Sequence, residues 1–306
     1  MNKPIPLLFV LLGLWILGTS FWRYNTCCQV AATASTAAAG AVAPIVAPLK
    51  PTPTKFLAFE DKATNLDIGL YDNLSFAPSG HDYLTPLSDS LTTTFVQVVD
   101  YLKANPTRSI QLTGLSQSDE ENNSMLSSLG LGRANQVKKL LVELGAPNGQ
   151  IEIGEQIKEG IQLVESALTN AVTFSFFETP EIDENQLKEL ARKLRTNPQK
   201  LYFNTDAKTI ELSQEQRQFL TDLVTYLSKN PKAIIKSTGH TDDMGDYVRN
   251  KYISRKRAEF VRNYLVQNGI DEKQIWVFYE GPDYPIADNE TREGRAKNRR
   301  VELELK

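Results

Sequence analysis

Between Ser237 and Phe260 the chain reads STGHTDDMGDYVRNKYISRKRAEF, with His240 two residues ahead of Asp242 and a run of basic residues behind them. Three chemistries could use such a set: metal ligation, acid–base catalysis, or the binding of a charged ligand. A metal needs three or four ligands at defined spacing. The one other histidine is His81, and no third ligand stands at a usual spacing from His240 and Asp242. General acid–base work needs a second carboxylate or a nucleophile in a fixed geometry; Asp243 and Asp246 read instead as solvated loop acids. The residues therefore predict no metal, no cofactor and no enzyme, and His240 reads as a loop residue.

Arg257 carries a more specific signal. Phe260, Val261, Tyr264 and Leu265 stand three, four, seven and eight residues after it, so it shares the inward stripe of a helix. With Ser254 as N-cap, Arg257 falls in the first helical turn. A cation there opposes the helix dipole, and a half-buried charge needs a partner. An anion held by the guanidinium and the helix N-terminus would resolve both. Asp242 supplies the opposite charge close by. The pair reads either as a structural salt bridge or as a clamp for a zwitterion, Arg257 on its carboxylate and Asp242 on its ammonium.

The elements that must position these residues occur twice. YLKANPTRSIQLTG begins at Tyr101, and YLSKNPKAIIKSTG begins 125 residues later at Tyr226. GRANQVKKLLVELG and KRAEFVRNYLVQNG match at an offset of 124, and NAVTFSF echoes RRVELEL. This is the signature of an internal duplication. Each segment reads as a short strand (LSFA, LYFNT), an amphipathic helix, a strand, a loop, a second helix ending at Gly145 or Gly269, and further strands. The first helices carry Phe95, Val98, Val99 and Leu102, or Phe219, Leu220, Leu223, Val224 and Leu227, and stop at Asn-Pro. One helical layer on one sheet makes an α+β sandwich. A helical pattern over 182–195 reads as a connector.

Composition bounds the partners. The chain has 306 residues, room for about two domains. Its 34 basic and 37 acidic residues give a net charge of −3, and acids interleave the basic clusters, which argues against nucleic acid. Pro4 to Trp22 is uncharged and apolar; a spanning helix needs about 20 such residues. Trp22, Arg23 and Tyr24 suit a membrane interface and not a cleavage site, so a retained anchor is expected before a cleaved signal peptide. Cys27 and Cys28 are the only cysteines and, being adjacent, cannot staple a fold. The Ala-, Thr- and Pro-rich stretch Val30 to Lys55 reads as a tether.

The motifs TGHTDDMG, ISRKRAEFV, YLVQNGI and PIADNETREGRAKNRRVELEL together strongly resemble the peptidoglycan-binding OmpA C-terminal-like family, over roughly Leu201 to Lys306. That family includes the peptidoglycan-associated lipoprotein and the flagellar stator protein MotB. The resemblance implies that Asp242 and Arg257 grip the diaminopimelate of the stem peptide, with Asn250 and Arg299 as further contacts and Thr205 and Asp206 lining the pocket. The first segment departs from the pattern: Gln117 stands where the Asp is expected, while Arg133 is retained. The expected organisation is an anchor over 1–28, a linker over 29–56, a degenerate OmpA-like sandwich over 57–180 and a ligand-binding one over 181–306. The expected role is non-catalytic anchoring of the membrane, or of an envelope complex, to peptidoglycan. The globular part would lie in the periplasm below a single inner-membrane span; outer-membrane association, or release into the periplasm after signal cleavage, is the alternative location. A pure scaffold in an envelope machine is the alternative role. Contacts of the first segment with other envelope proteins, and a homodimer, stay open.

Overall fold

A computed structural model of the chain describes residues 57–181, 183–203 and 210–306. They belong to one compact unit, Pro53–Lys306. The expected anchor and tether, and Thr205 and Asp206, lie outside the described residues. Among the described residues no helix is long and apolar enough to cross a membrane.

The fold is mixed α/β. In the second segment, helix α3 (Glu184–Thr196) leads into strand β9 (Gln199–Tyr202), helix α4 (Gln214–Lys229), strand β10 (Ile235–His240), helix α5 (Tyr247–Gln267), strand β11 (Ile275–Gly281), short helix α6 (Arg292–Asn298) and strand β12 (Arg300–Leu305). The sheet order is β11-β10-β12-β9. β10 runs parallel to β11 and antiparallel to β12, which is antiparallel to β9. α4 starts with a capping box, Ser213 accepting from the Gln216 N–H while Gln216 reaches back to the Ser213 N–H. Its apolar stripe, Phe219, Leu220, Leu223, Val224 and Leu227, is buried as the periodicity predicts.

The first segment places helix α1 (Asp89–Ala104), strand β4 (Arg108–Ser116), helix α2 (Leu129–Glu143), strand β5 (Ile151–Ile157) and strand β8 (Val172–Glu178) in the same succession. Its sheet order is β5-β4-β8, again with one parallel and one antiparallel neighbour to the central strand. A hairpin of β1 (Leu57–Asp61) and β2 (Leu66–Leu70) and a small sheet of β3 (Ser75–Phe76), β6 (Leu163–Val164) and β7 (Ala167–Thr169) complete it.

Two local devices occur in both segments. The Gln150 side-chain amide donates to the carbonyls of Leu102, Asn105 and Arg108; that of Gln274 donates to those of Leu227, Asn230 and Ala233. Each glutamine thus satisfies the open carbonyls between the first helix and the central strand. The second helix also crosses the central strand at a glycine. A β-carbon on Gly114 would collide with the Gly130 carbonyl, and one on Gly239 with the Ser254 carbonyl. Only a residue without a side chain lets α2 and α5 lie so close.

The two segments share packing. Met125 and Leu126, from the loop between β4 and α2, are fully buried in the core of the second segment beside Leu220, Leu223 and Val261. The Ser127 N–H donates to Thr221 Oγ1 at 2.9 Å, and Asn135 Nδ2 to the Asn268 carbonyl at 2.7 Å.

Two sequence expectations are corrected. α5 begins at Tyr247, with Asp246 as N-cap accepting from the Arg249 N–H, and not at Ser254. Gly245, at φ +92°, turns the chain into that earlier start, and no proline interrupts the helix between Tyr247 and Gln267. Ser254 is buried inside the helix, donating to the Lys251 carbonyl and accepting from the Gly281 N–H. His240 is the last residue of β10 and buried, not a loop residue.

Candidate functional site

The site lies at the C-terminal end of β10, where the chain turns from His240 through Asp242 into α5. The turn is pinned at three points. The Thr241 N–H donates to the Gly281 carbonyl at the end of β11, at 2.9 Å. Asp242 Oδ1 accepts from the Met244 N–H at 3.3 Å. Asn250 is buried, and its side-chain amide donates to the Met244 carbonyl at 3.1 Å. That bond turns the donor end of Asn250 toward the loop backbone.

Arg257 reaches the turn from the middle of α5, so the N-terminus of that helix does not lie beside it. Its Nη1 donates to the His240 carbonyl at 2.9 Å, its one hydrogen bond among the described residues. Burial lowers its pKa to about 10, the Arg299 charge acting in the same direction and the Asp242 charge against it. The group stays charged at neutral pH but is poorly compensated there.

Asp242 is paired with Arg299 and not with Arg257. Arg299 Nη1 donates to Asp242 Oδ2 at 2.9 Å, and both side chains are largely buried, at 18% and 14% exposure. The structural salt bridge expected between Asp242 and Arg257 is therefore absent. Arg299 caps the C-terminus of α6, and its carbonyl accepts from the Phe203 N–H. Arg299 Nε is buried without a partner among the described residues.

Sequence reasoning missed Asn298, the residue before this arginine, which ties down the loop over 286–289. It is fully buried; its Oδ1 accepts from the N–H groups of Ile286 and Ala287, and its Nδ2 donates to the Ala287 carbonyl and to Asn289 Oδ1. A buried asparagine whose bonds are all to one loop fixes that loop. The signal in the sequence was an Asn immediately before the Arg pair at the start of β12.

The His240 ring lies beside Glu302, with Nε2 4.0 Å from Oε2. Both ring nitrogens are buried without a hydrogen-bond partner among the described residues. Burial, then the Arg300 charge, lower its pKa to about 4, with Glu302 opposing. Among the described residues no group of three or more His, Cys, Asp or Glu is placed to hold a metal ion. The site therefore gathers two arginines and one carboxylate around a strand end, a geometry for binding a ligand that carries both signs of charge.

Residues 202–299 match the OmpA family. Over 104 residues the chain is 39% identical to outer membrane protein A of Bordetella avium, covering 34% of this chain and 53% of that protein. Over 86 residues it is 40% identical to the peptidoglycan-binding protein ArfA of Mycobacterium tuberculosis, covering 28% and 26%. The chain thus spans about half the length, or less, of these curated relatives. Among solved structures it is similar to the peptidoglycan-associated lipoprotein of Burkholderia pseudomallei, at 30% identity over 35% of this chain and 89% of that one, with a TM-score of 0.32. The segment that carries Asp242, Arg257 and Arg299 is a domain of the OmpA family.

Proposed function

We propose that the chain is a non-catalytic peptidoglycan-binding protein that holds a membrane, or an envelope complex, to the cell wall. The observation that carries this reading is the desolvated, singly bonded guanidinium of Arg257 beside the Asp242–Arg299 pair. Such a group is best stabilised by an incoming carboxylate, and Asp242 offers the matching acceptor for an ammonium. Diaminopimelate in a stem peptide presents both on one side chain. The name of one relative, a peptidoglycan-binding protein, supports the same class of ligand.

In this reading Arg257 takes the carboxylate, Asp242 the ammonium, and Arg299 holds Asp242 in place. Thr205 and Asp206 would line the pocket and Asn250 would shape its loop. The apolar run Pro4 to Trp22 would anchor the chain in a membrane, with the tether spanning to the globular unit. The two segments would be copies of one ancestral domain, supported by the duplicated glutamine clamps and glycine crossings.

Calorimetric titration with two tripeptides tests the clamp, one carrying meso-diaminopimelate at its third position and one carrying lysine there. Lysine lacks the distal carboxylate. Loss of one charge-assisted, bidentate contact costs about 2 kcal/mol, so the lysine peptide should bind roughly 30-fold more weakly. Equal affinities would remove Arg257 from the ligand's distal end.

A further inference from the structure

The first segment keeps an arginine at the position equivalent to Arg257, and its surroundings are complete. Arg133 lies on α2 with its side chain at 0% exposure. Its Nη1 donates to the Leu115 carbonyl at 2.6 Å, at the end of β4, as Arg257 does to the His240 carbonyl at the end of β10. Its Nε donates to the Gly80 carbonyl at 2.9 Å, and its guanidinium lies 5.7 Å from the Phe76 ring centre.

What differs is Glu120, in the loop between β4 and α2. Its carboxylate lies across the guanidinium in a two-point contact: Nη2 donates to Oε1 at 2.5 Å and Nη1 to Oε2 at 3.0 Å. Two backbone groups complete its shell, the Ser79 N–H on Oε1 and the Gln117 N–H on Oε2, each at 2.9 Å. Four donors from three parts of the chain converge on one carboxylate that is itself 5% exposed. Burial alone would raise the Glu120 pKa, but the Arg133 and backbone hydrogen bonds outweigh it and hold the group below the usual carboxylate range.

We infer that Arg133 and the N–H groups of Ser79 and Gln117 form a carboxylate-binding site whose occupant is Glu120, so that the first segment is closed to outside ligands by its own side chain. The site takes carboxylates as a class, because its donors are a planar guanidinium and two convergent amides. A tethered occupant acts at an effective concentration in the millimolar range or above, so a weak free carboxylate does not displace it. The loop that carries Glu120 also delivers Met125 and Leu126 into the core of the second segment. Occupancy by Glu120 and docking of the two segments are thus features of one loop. The inference concerns Arg133 alone and does not depend on what Arg257 binds.

The test is thermal unfolding of the full-length chain and its Glu120→Ala variant, in rising sodium acetate against sodium chloride at matched ionic strength. The variant should melt lower, by an amount on the order of 5 °C or more. Acetate, and not chloride, should recover that loss saturably, while the parent protein responds to the two salts alike. A folded variant that shows no acetate-specific recovery overturns the inference. If Glu120→Ala fails to fold in either salt, Glu120→Gln decides. An amide nitrogen in place of one oxygen would face two of the four converging donors, so that variant should also melt lower, whereas a parent-like melting temperature would mean that the carboxylate has no role as occupant.

Discussion

Arg257 and Arg133 are the same side chain in two electrostatic states. Each donates from Nη1 to a carbonyl at the C-terminal end of a central strand. Arg133 then finds a carboxylate, while Arg257 faces the Asp242–Arg299 pair, and its burial lowers its pKa to about 10. Arg299 positions Asp242, so Arg299→Met should weaken binding of the diaminopimelate tripeptide about tenfold by calorimetry, and the loss of a largely buried ion pair should lower the melting temperature. His240 gives a prediction in pH. Burial and Arg300 hold it neutral in the fold down to about pH 4, whereas in the unfolded chain it protonates near 6.5. Its folded pKa is depressed, so the unfolded state binds the proton first. The stability at stake is whole above about pH 6.5 and is lost as pH falls toward 4, at most about 3 kcal/mol. In His240→Leu, denaturant unfolding should show a flatter stability profile between those values; an unchanged slope would mean that His240 titrates normally. The sequence offered Asp242 and Arg257 as a pair from their types and spacing. It could not show that Arg299 claims Asp242, because that contact joins residues 57 positions apart through the order of the strands.

At the level of elements, the succession of strands and helices was legible because each apolar stripe has one period. Phe95, Val98, Val99 and Leu102 are buried on α1, and Phe219, Leu220, Leu223, Val224 and Leu227 on α4. The start of α5 was not, because two capping residues compete: Asp246 after Gly245, and Ser254. Tertiary packing settles it, since Ser254 must bond the Gly281 N–H and let its backbone approach Gly239. That approach constrains the site, because it sets how far Arg257 stands from the end of β10. Gly239→Ala has no space for its methyl against a backbone carbonyl and should cost about 3 kcal/mol in denaturant unfolding. A variant within a few tenths of the parent would show that α5 can lift from the strand freely.

For the whole molecule, the loop of the first segment that carries Met125 and Leu126 is buried in the core of the second. Leu126→Ala removes a fully buried side chain from the second core, at an expected cost of about 3 kcal/mol. Amide hydrogen exchange should then speed up in both segments; acceleration confined to one would show that they open separately. The matched stretches of the two segments were legible in the sequence, whereas the docking of one segment on the other was not, since Met125 and Leu126 lie in a loop with no periodicity. Ligand binding at the Asp242–Arg257 site is the central claim, and co-sedimentation with purified peptidoglycan tests it most directly. The full-length chain in mild detergent would be spun with and without peptidoglycan, beside Asp242→Ala and Arg257→Ala variants checked for folding by circular dichroism. The parent should pellet only with peptidoglycan, and both folded variants should stay in solution. Variants that pellet as the parent does would contradict the claim.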